Sequence, residues 1–555
     1  MSAKGLVVVA FTVLSVLGSS CANNDGSPGS PGAGGSTGGD HGSGGGDASG
    51  GTTGTGGAAG GSTGTGGTTG TGGAKGGTTG TGGATGGTIG TGGATGGTTG
   101  TGGGTGGTIG ATGGTTGAGG ATGKGGGGGA STGSGGSATG GGAGGTTTGT
   151  GGVAGNGSGG AAAGTGGGGG LPTSSTTENT GADCPQPPAP PAFSALPSIA
   201  NLPDPFLTIG GTRISKISDW RCRRAEISSQ IQYWGTGPKG APPAAANLNA
   251  TFSGGKLTVT ITQSGATLTL TSTITTPSGA GPFPLVIGMN TPTGSLPTSL
   301  FGGVATMTFD STQLVPDGFN VTRGAGSYFT MYPDKNAGAM IEWAWGVSRL
   351  IDGLYATAGQ NKIDLTRIAV TGCSYQGKMA LYAGAFDERI ALTIPEESGG
   401  GGEASWRFDA TQTGTEDLEH AQGTAWYAAN LAQFKNASAP KLPYDQHELV
   451  AMVAPRAILA VENTGIDYLG AQGESVSMRA AKEVYKALGI PDRLGYTQTQ
   501  APAHCSFPTS VQGPDVQAFV NKFLLNQASA NTNIARDSYN TDLTKWVTWT
   551  TPTLQ

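Results

Sequence analysis

Apolar residues and threonines alternate strictly in two neighbouring segments, 256–262 and 266–275. A period of two places alternate side chains on opposite faces of a strand, so both segments are predicted to be β-strands. Only Gln263, Ser264 and Gly265 separate them, which predicts a tight hairpin. One face of this hairpin is predicted to be apolar and the other to consist of threonine.

Further along the chain, short apolar runs alternate with longer segments of helical pattern. The short runs are typical of buried parallel strands, and they cover 282–289, 367–371, 390–395, 456–461 and 493–500. Helices are predicted at 338–355, from Lys378 onward, in the polar segment 416–427 and at about 511–526. This alternation predicts an α/β fold, in which a mostly parallel sheet is covered by helices on both faces as a three-layer sandwich.

The N-terminus has a different pattern. Lys4 precedes an apolar run at 6–17, and small residues then lead to Cys21. These features are typical of a secretory signal, so residues 1–21 are predicted to direct export to the cell surface or the extracellular space. A cysteine after small residues also resembles the lipidation site of bacterial lipoproteins, although Gly18 stands where that site usually has leucine. Cys21 is therefore a candidate for lipidation and membrane attachment, and plain cleavage is the alternative.

Residues 22–182 consist mainly of Gly, Thr, Ala and Ser, and most of the 114 glycines of the chain lie there. Such side chains bury too little apolar surface to offset the entropy lost on ordering. The segment is therefore predicted to be a disordered, flexible tether. Residues 183–555 are predicted to form one large folded domain.

The formal net charge is −5, which gives no basic footprint for binding nucleic acid. Five cysteines are present, at positions 21, 184, 222, 373 and 505. Setting Cys21 aside leaves four in an exported domain, which predicts two disulfides with three alternative pairings. No two cysteines have C-x-x-C spacing, so no metal site is expected.

Ser374 lies between a predicted strand and a predicted helix, in a short loop flanked by Gly372 and Gly377. A serine on such a turn is the nucleophile elbow of α/β-hydrolases. The spacing G-x-S-x-x-G is one residue longer than the usual G-x-S-x-G, so an ordinary strand-to-helix turn is the alternative.

Two further side chains complete a candidate catalytic triad. His504 follows the last predicted strand and is the candidate base, and Glu397 follows the strand after the elbow. Reactive groups of parallel sheets gather at the carboxyl ends of strands, and here they occur in the order nucleophile, acid, histidine. Glu462 and Asp467 follow the next strand and are alternative acids.

The segment Gly372-Cys-Ser-Tyr-Gln-Gly-Lys378 resembles the Gly-Cys-Ser-Arg-x-Gly-Lys signature of glucuronoyl esterases, the carbohydrate esterases that cleave lignin–glucuronoxylan esters. The resemblance extends from Cys184 to about Asn526. Other segments similar to that family are 219–227, 343–349, 384–390, 395–399, 454–456 and 504–508. The resemblance implies an α/β-hydrolase with Ser374 as nucleophile, His504 as base and Glu397 as acid.

The resemblance also implies how the cysteines pair and where the sugar binds. Cys373 would bridge to Cys505, and Cys184 to Cys222. Lys378 matches the lysine that contacts the hydroxyls of the sugar in that family.

This chain departs from the family pattern at two positions. Tyr375 stands in place of the arginine that helps to hold the oxyanion, although its backbone N–H remains available as a donor. Tyr468 stands in place of a tryptophan that stacks on the sugar, and tyrosine can also stack. The remaining sugar contacts of the family do not align cleanly, and Glu419, His420 and Gln422 are the candidates.

The sequence thus predicts an exported serine carboxylesterase that acts on 4-O-methyl-glucuronoyl esters of plant cell-wall glucuronoxylan. The Ser-His-Glu mechanism needs no metal or cofactor. One alternative is another carbohydrate esterase, such as an acetylxylan esterase. The other is an inactive polysaccharide-binding protein at the cell surface.

Overall fold

The computed structural model describes residues 174–555 except 317, 319, 334, 335, 422 and 423. The predicted signal, Cys21, Gln422 and the tether up to residue 173 therefore lie outside the described residues. Within the described part, no helix is both long and apolar enough to cross a membrane.

Ten strands of the described part form one sheet. They are β1 (Leu248–Ser253), β2 (Lys256–Gln263), β3 (Ala266–Thr275), β4 (Phe283–Met289), β5 (Ala305–Phe309), β6 (Ile363–Cys373), β7 (Ile390–Glu396), β8 (Ala457–Asn463), β9 (Leu494–Thr499) and β10 (Ala535–Arg536). Their order across the sheet is β10-β9-β8-β7-β6-β4-β5-β3-β2-β1. Strands β4 to β10 are parallel to one another, and β1, β2 and β3 extend the sheet by antiparallel pairing beyond β5. The mostly parallel sheet is as predicted.

The predicted hairpin is formed by β2 and β3. Leu257, Val259 and Ile261 are fully buried and alternate with threonines. Ser264 and Gly265 both have positive φ, 52° and 78°, which suits the tight turn that reverses the chain. Strands β1 and β5 were not predicted, because β1 is only partly buried along one face and β5 has just five residues.

The helices of the described part begin and end as follows: α1 Trp220–Ile231, α2 Tyr328–Met331, α3 Ala339–Ala356, α4 Tyr375–Phe386, α5 Trp406–Asp409, α6 Leu418–Ala421, α7 Gln446–Ala451, α8 Ala471–Ala487 and α9 Thr509–Phe519. The helices predicted at 338–355 and 511–526 are confirmed as α3 and as α9 with a π-helical turn at Val520–Leu524. The helix predicted after the elbow begins earlier, at Tyr375.

The prediction of a helix across 416–427 was wrong, since among the described residues of that segment only the four of α6 are helical. The carboxylate of Asp417 accepts hydrogen bonds from the backbone N–H groups of Glu419 and His420, which caps one short turn. Glu416 and Trp426, on either side, are held by contacts with Lys378. These tertiary contacts override the local helical pattern.

Alternate side chains of the central strands enter two separate cores. On β4, Leu285 and Ile287 face the larger core, which includes residues of α1, α3, α4 and α8. Val286 faces the opposite side, where Phe519 of α9 and Leu524 cover the sheet. Helices on both faces give the three-layer sandwich that was predicted.

Residues 174–182, which composition assigns to the tether, contact the domain. The backbone N–H of Ser175 donates to the carbonyl of Glu388, and that of Glu388 donates to the carbonyl of Glu178, each at 2.9 Å. The carboxylate of Glu178 forms ion pairs with Lys239, at 2.8 Å, and with Arg349. Contacts with the domain therefore begin before residue 183, through backbone hydrogen bonds to Glu388 and the ion pairs of Glu178.

Candidate active site

Ser374 occupies a strained turn at the end of the central strand. β6 ends at Cys373 and α4 begins at Tyr375, so Ser374 is the single residue between them, with φ 64° and ψ −133°. Its backbone N–H donates to the carbonyl of Glu396 at 2.9 Å, and its carbonyl accepts from the N–H of Lys378 at 3.1 Å. These two bonds hold a conformation that a non-glycine residue rarely adopts, which is typical of a nucleophile elbow.

Glu397 and His504 lie in contact at the ends of two other strands. The Oε2 atom of Glu397 is 2.7 Å from Nδ1 of His504 and also accepts the backbone N–H of Cys505 at 3.0 Å. The Glu397 side chain is 6% exposed and that of His504 is 38% exposed. A buried carboxylate thus orients an imidazole whose other nitrogen is available for chemistry.

The two alternative acids have other environments. Glu462 is buried and accepts the backbone N–H of Ser398 at 3.2 Å. Its burial and the neighbouring carboxyls of Glu403 and Glu474 raise its pKa well above the usual range. Asp467 is exposed at the start of a short 3₁₀ turn. Of the three candidates, Glu397 is the one that the structure brings to His504.

Two disulfides with the pairing that the resemblance implied are present in the described residues. Cys373–Cys505 joins the residue before Ser374 to the residue after His504, and its Cα atoms are 5.9 Å apart. The loops that carry Ser374 and His504 are therefore fastened side by side. Cys184–Cys222 joins the start of the domain to α1.

The same disulfide bears on metal binding. Ligand atoms of Cys373, His504 and Cys505 lie within 4.8 Å of one another. Because the two sulfur atoms are bonded to each other, neither can act as the thiolate that a metal ion requires. This group is therefore better described as a disulfide beside the candidate base His504.

Lys378, the predicted sugar contact, lies on α4 one turn beyond Ser374. Its Nζ atom donates to the carbonyl of Ser398 at 2.6 Å and to Oε2 of Glu416 at 2.8 Å, and it lies 5.7 Å from the ring centre of Trp426. Burial raises the pKa of Glu416, and the neighbouring Lys378 opposes that rise. The sequence did not single out Glu416 or Trp426 for a role, because no motif links them to the elbow.

Tyr375 packs against two tryptophans. Its ring stacks on that of Trp426, with the centres 5.6 Å apart and the planes 14° apart, and lies 6.2 Å from the ring of Trp343. The side chain is thus held by aromatic neighbours, whereas its backbone N–H begins α4 directly after Ser374. The oxyanion donor that this geometry offers is the backbone group.

The other predicted sugar contacts lie near Glu416. The backbone N–H of Glu416 donates to the carbonyl of Tyr468 at 2.6 Å, and the ring of His420 meets that of Tyr468 edge-on at 5.9 Å. His420 is half exposed, and its Nδ1 atom is 2.9 Å from Oδ1 of Asp417. Glu419 is exposed on the same short helix. These residues form one polar and aromatic region that Glu416 connects to Lys378.

Comparison with known proteins gives a consistent set of matches. A family model described as fungal glucuronyl esterase matches residues 259–489. A 4-O-methyl-glucuronoyl methylesterase of Podospora anserina is 37% identical over 398 residues, which are 69% of this chain and 82% of the relative. One of Hypocrea jecorina is 40% identical over 371 residues, 66% of this chain and 78% of the relative.

Solved structures agree with these sequence matches. The glucuronoyl esterase catalytic domain of Hypocrea jecorina has a TM-score of 0.62 and 39% identity, covering 66% of this chain and all of that domain. A mutant glucuronoyl esterase of Sporotrichum thermophile, in complex with methyl 4-O-methyl-β-D-glucopyranuronate, has a TM-score of 0.61 and 35% identity, covering 65% of this chain and 97% of the other. The described domain thus has the fold of these enzymes.

Proposed function

The chain belongs to the glucuronoyl esterase family, and we propose that it is a serine carboxylesterase that hydrolyses 4-O-methyl-glucuronoyl esters of plant cell-wall glucuronoxylan. The contact that carries this proposal is the one between Glu397 and His504, on a loop fastened by the Cys373–Cys505 disulfide to the loop of Ser374. Relatives over most of the chain carry the name 4-O-methyl-glucuronoyl methylesterase.

The mechanism follows from the roles of these three residues. Oγ of Ser374 attacks the ester carbonyl, and Nε2 of His504 takes the proton of that hydroxyl. Glu397 holds Nδ1 of His504 and stabilises the imidazolium that forms. The imidazolium then protonates the departing alcohol, and water, activated by His504, releases the uronic acid from the acyl-enzyme.

The negative charge that develops on the ester oxygen needs donors. The backbone N–H of Tyr375 is one donor, at the positive end of the α4 dipole. The loop after β4 is the candidate source of a second donor, because that strand lies next to β6 and its loop lies at the same edge of the sheet. Tyr375 stands where the family has an arginine. The oxyanion hole therefore lacks that fixed positive charge and relies on backbone donors.

The sugar ring is placed by the region beside the elbow. Lys378 offers donors to sugar hydroxyls while Ser398 and Glu416 fix its position. Tyr468 offers an aromatic face for stacking, and Glu419 and His420 line the exposed side. A cation, a carboxyl and an aromatic ring together suit the hydroxyls and the ring face of a uronate ester.

We extend this proposal to the whole chain. Residues 1–21 direct export, and the Gly/Thr-rich segment tethers the esterase domain. The location is extracellular or at the cell surface, where the substrate polymer is found. Lipidation of Cys21, as in a bacterial outer-membrane lipoprotein, would attach the enzyme to the membrane.

One comparison of substrates tests the proposed reaction: hydrolysis of benzyl glucuronate against hydrolysis of an aryl acetate by the same preparation. We expect a higher kcat/KM for the glucuronate. Turnover of the acetate alone would favour another carbohydrate esterase, such as an acetylxylan esterase. No turnover of either ester would favour an inactive polysaccharide-binding protein.

A further inference from the structure

Glu396 lies directly beneath the candidate nucleophile and has no role in the mechanism above. It is the last residue of β7 and is 1% exposed. Its backbone carbonyl accepts the N–H of Ser374 at 2.9 Å. Its carboxyl group reaches Oγ1 of Thr371 at 3.0 Å, and it also accepts from the backbone N–H of Ser295 at 3.3 Å and contacts the Ser295 hydroxyl. Glu396 therefore touches both strands of the elbow region and a third element.

That third element is the loop after β4, residues 290–295, here called the oxyanion loop. β4 pairs with β6 in parallel, so this loop and the elbow lie at one edge of the sheet. Gly294 has φ +64°, and a Cβ atom there would clash with Oε1 of Glu396 and lie 3.0 Å from Cα of Gly372. The oxyanion loop thus approaches the elbow backbone closely, and the Glu396 carboxyl fills the space between them.

Thr371 shares its one hydroxyl between this carboxyl and a backbone carbonyl. Oγ1 of Thr371 lies 2.8 Å from the carbonyl of Ile394 and 3.0 Å from Oε1 of Glu396. A hydroxyl has one hydrogen, and a carbonyl oxygen cannot donate. The single hydrogen of Thr371 is thus shared between Ile394 and Glu396, so Thr371 gives only part of a hydrogen bond to stabilise a charged Glu396.

The electrostatics of the site favour the neutral form of this carboxyl. Burial raises the pKa of Glu396 to about 8, the hydrogen bonds of Ser295 and Thr371 oppose the rise, and the charge of Glu397 adds to it. Ser295 and Thr371 face the group with neutral hydroxyls, and Val461 of β8 lies opposite it in the sheet. Disulfide-bonded Cys373 of β6 also lies opposite Glu396, and the next residue of β8 after Val461 is the carboxyl-bearing Glu462.

We propose that Glu396, as a neutral carboxylic acid, is a positioning residue that fastens the oxyanion loop to the nucleophile elbow. The inference rests on the proposed function, because it assigns a purpose to that loop. Loss of the proton would place a negative charge beneath the developing oxyanion and beside Glu397. The rate of the chemical step should therefore fall when Glu396 ionises.

The kinetic test uses Glu396→Gln and Glu396→Ala in the full-length protein. Glutamine keeps the size, an acceptor oxygen for Thr371 and the Ser295 N–H and a polar group beside the Ser295 hydroxyl, but it cannot ionise. We expect kcat of this variant within about threefold of wild type at pH 7, and unchanged up to pH 9, whereas wild-type kcat falls as pH rises above about 8. We expect Glu396→Ala to lower kcat about 10- to 100-fold with little change in KM.

Two controls separate positioning from general stability. Glu448→Gln replaces another buried carboxyl whose pKa burial raises, to about 7, but which pairs with Arg223 of α1. It should keep the wild-type pH profile. If Glu396→Ala does not fold, Ser295→Ala removes the hydroxyl part of the same contact, leaves the backbone N–H of residue 295 in place, and should lower kcat with KM unchanged. A Glu396→Gln profile that falls in alkali like the wild type, or a wild-type kcat in the alanine variant, would overturn the proposal.

A second readout does not depend on turnover. Amide hydrogen exchange of a peptide covering 290–296 should be faster in Glu396→Ala than in wild type and unchanged in Glu396→Gln, compared at one pH. Unchanged exchange in the alanine variant would overturn the positioning role even in an active esterase. If the wild type cleaves no ester but Glu396→Ala still shows faster exchange, the positioning role of Glu396 is supported and only the proposed function is rejected.

Discussion

Glu397 receives two hydrogen bonds from the histidine loop, one from the ring of His504 and one from the backbone of Cys505. We expect Glu397→Ala to lower kcat about 10³- to 10⁴-fold, since the imidazole loses both its orientation and its counter-charge. Asp467→Ala, at an exposed site, should retain wild-type activity. Steady-state kinetics of the two variants measure this, and collapse of activity in Asp467→Ala with an active Glu397→Ala would contradict the assignment.

The Tyr375 ring lies against Trp426, and the proposed oxyanion donor is its backbone N–H. Tyr375→Phe keeps both features, so its kcat on benzyl glucuronate should stay within about threefold of wild type. Loss of one oxyanion donor typically costs about 10²–10³ in kcat. A loss of that size in Tyr375→Phe would assign the phenol to the oxyanion hole. Tyr375→Ala, which also removes the stacking, is the matched comparison.

Single residues differ in how well sequence can identify them. Ser374 and His504 follow predicted strands, so their positions made them the candidates for nucleophile and base. Glu416 is 38 positions from Lys378 along the chain and reaches it only through the fold. Glu396 gave no separate signal, because an acidic pair at a strand end does not reveal that one member is buried beneath the elbow.

At the scale of elements, the Cys373–Cys505 bridge connects the elbow to the histidine loop across 132 residues of sequence. Replacing both cysteines by serine should lower kcat about 10²-fold, because a displacement of about 1 Å between reacting groups has an effect of that size. The matched control is the Cys184Ser/Cys222Ser variant, which should lose thermal stability and keep its kcat. Equal loss of kcat in both double variants would indicate a purely structural role for the first bridge.

Elements with a clear hydrophobic period or a long apolar pattern could be predicted from the sequence. Elements that depend on pairing with distant parts of the chain could not. The alternation in β2 and β3 and the long apolar pattern of α3 are local properties of the chain. β1 and β5 are strands because neighbours pair with them. The early start of α4 is fixed by the strained backbone of Ser374, which has no signature in hydrophobic pattern.

At the scale of the whole molecule, several buried carboxyls have raised pKa values: burial brings those of Glu403 and Glu448 to about 7 and that of Glu396 to about 8. Between about pH 5 and 8 the unfolded chain loses protons that the folded chain keeps. The free energy of unfolding therefore falls as pH rises, by about 1.4 kcal/mol per pH unit for each such group.

Burial lowers the pKa of His447 to about 4, which gives the opposite slope below about pH 6.5. Because several carboxyls oppose this one histidine, we expect Tm at pH 8 to be about 5 °C or more below Tm at pH 5.5. Calorimetry at the two pH values measures this. Glu448→Gln should reduce the difference, and a Tm that is equal or higher at pH 8 would contradict the interpretation.

The boundary between the Gly/Thr-rich segment and the folded domain can be predicted from composition only approximately. Composition predicts that the domain begins at residue 183, whereas Glu178, before that boundary, forms ion pairs with Lys239 and Arg349 of the domain. A few charged contacts are invisible in a composition average.

The most direct test of the central claim is kcat/KM for benzyl glucuronate, measured for the full-length wild type and for Ser374→Ala in one assay. Ser374→Ala removes the attacking oxygen while leaving the backbone of the elbow in place. We predict clear turnover by the wild type and a fall of at least about 10³-fold in the variant. Equal rates for the two proteins, or no hydrolysis by the wild type, would contradict the account.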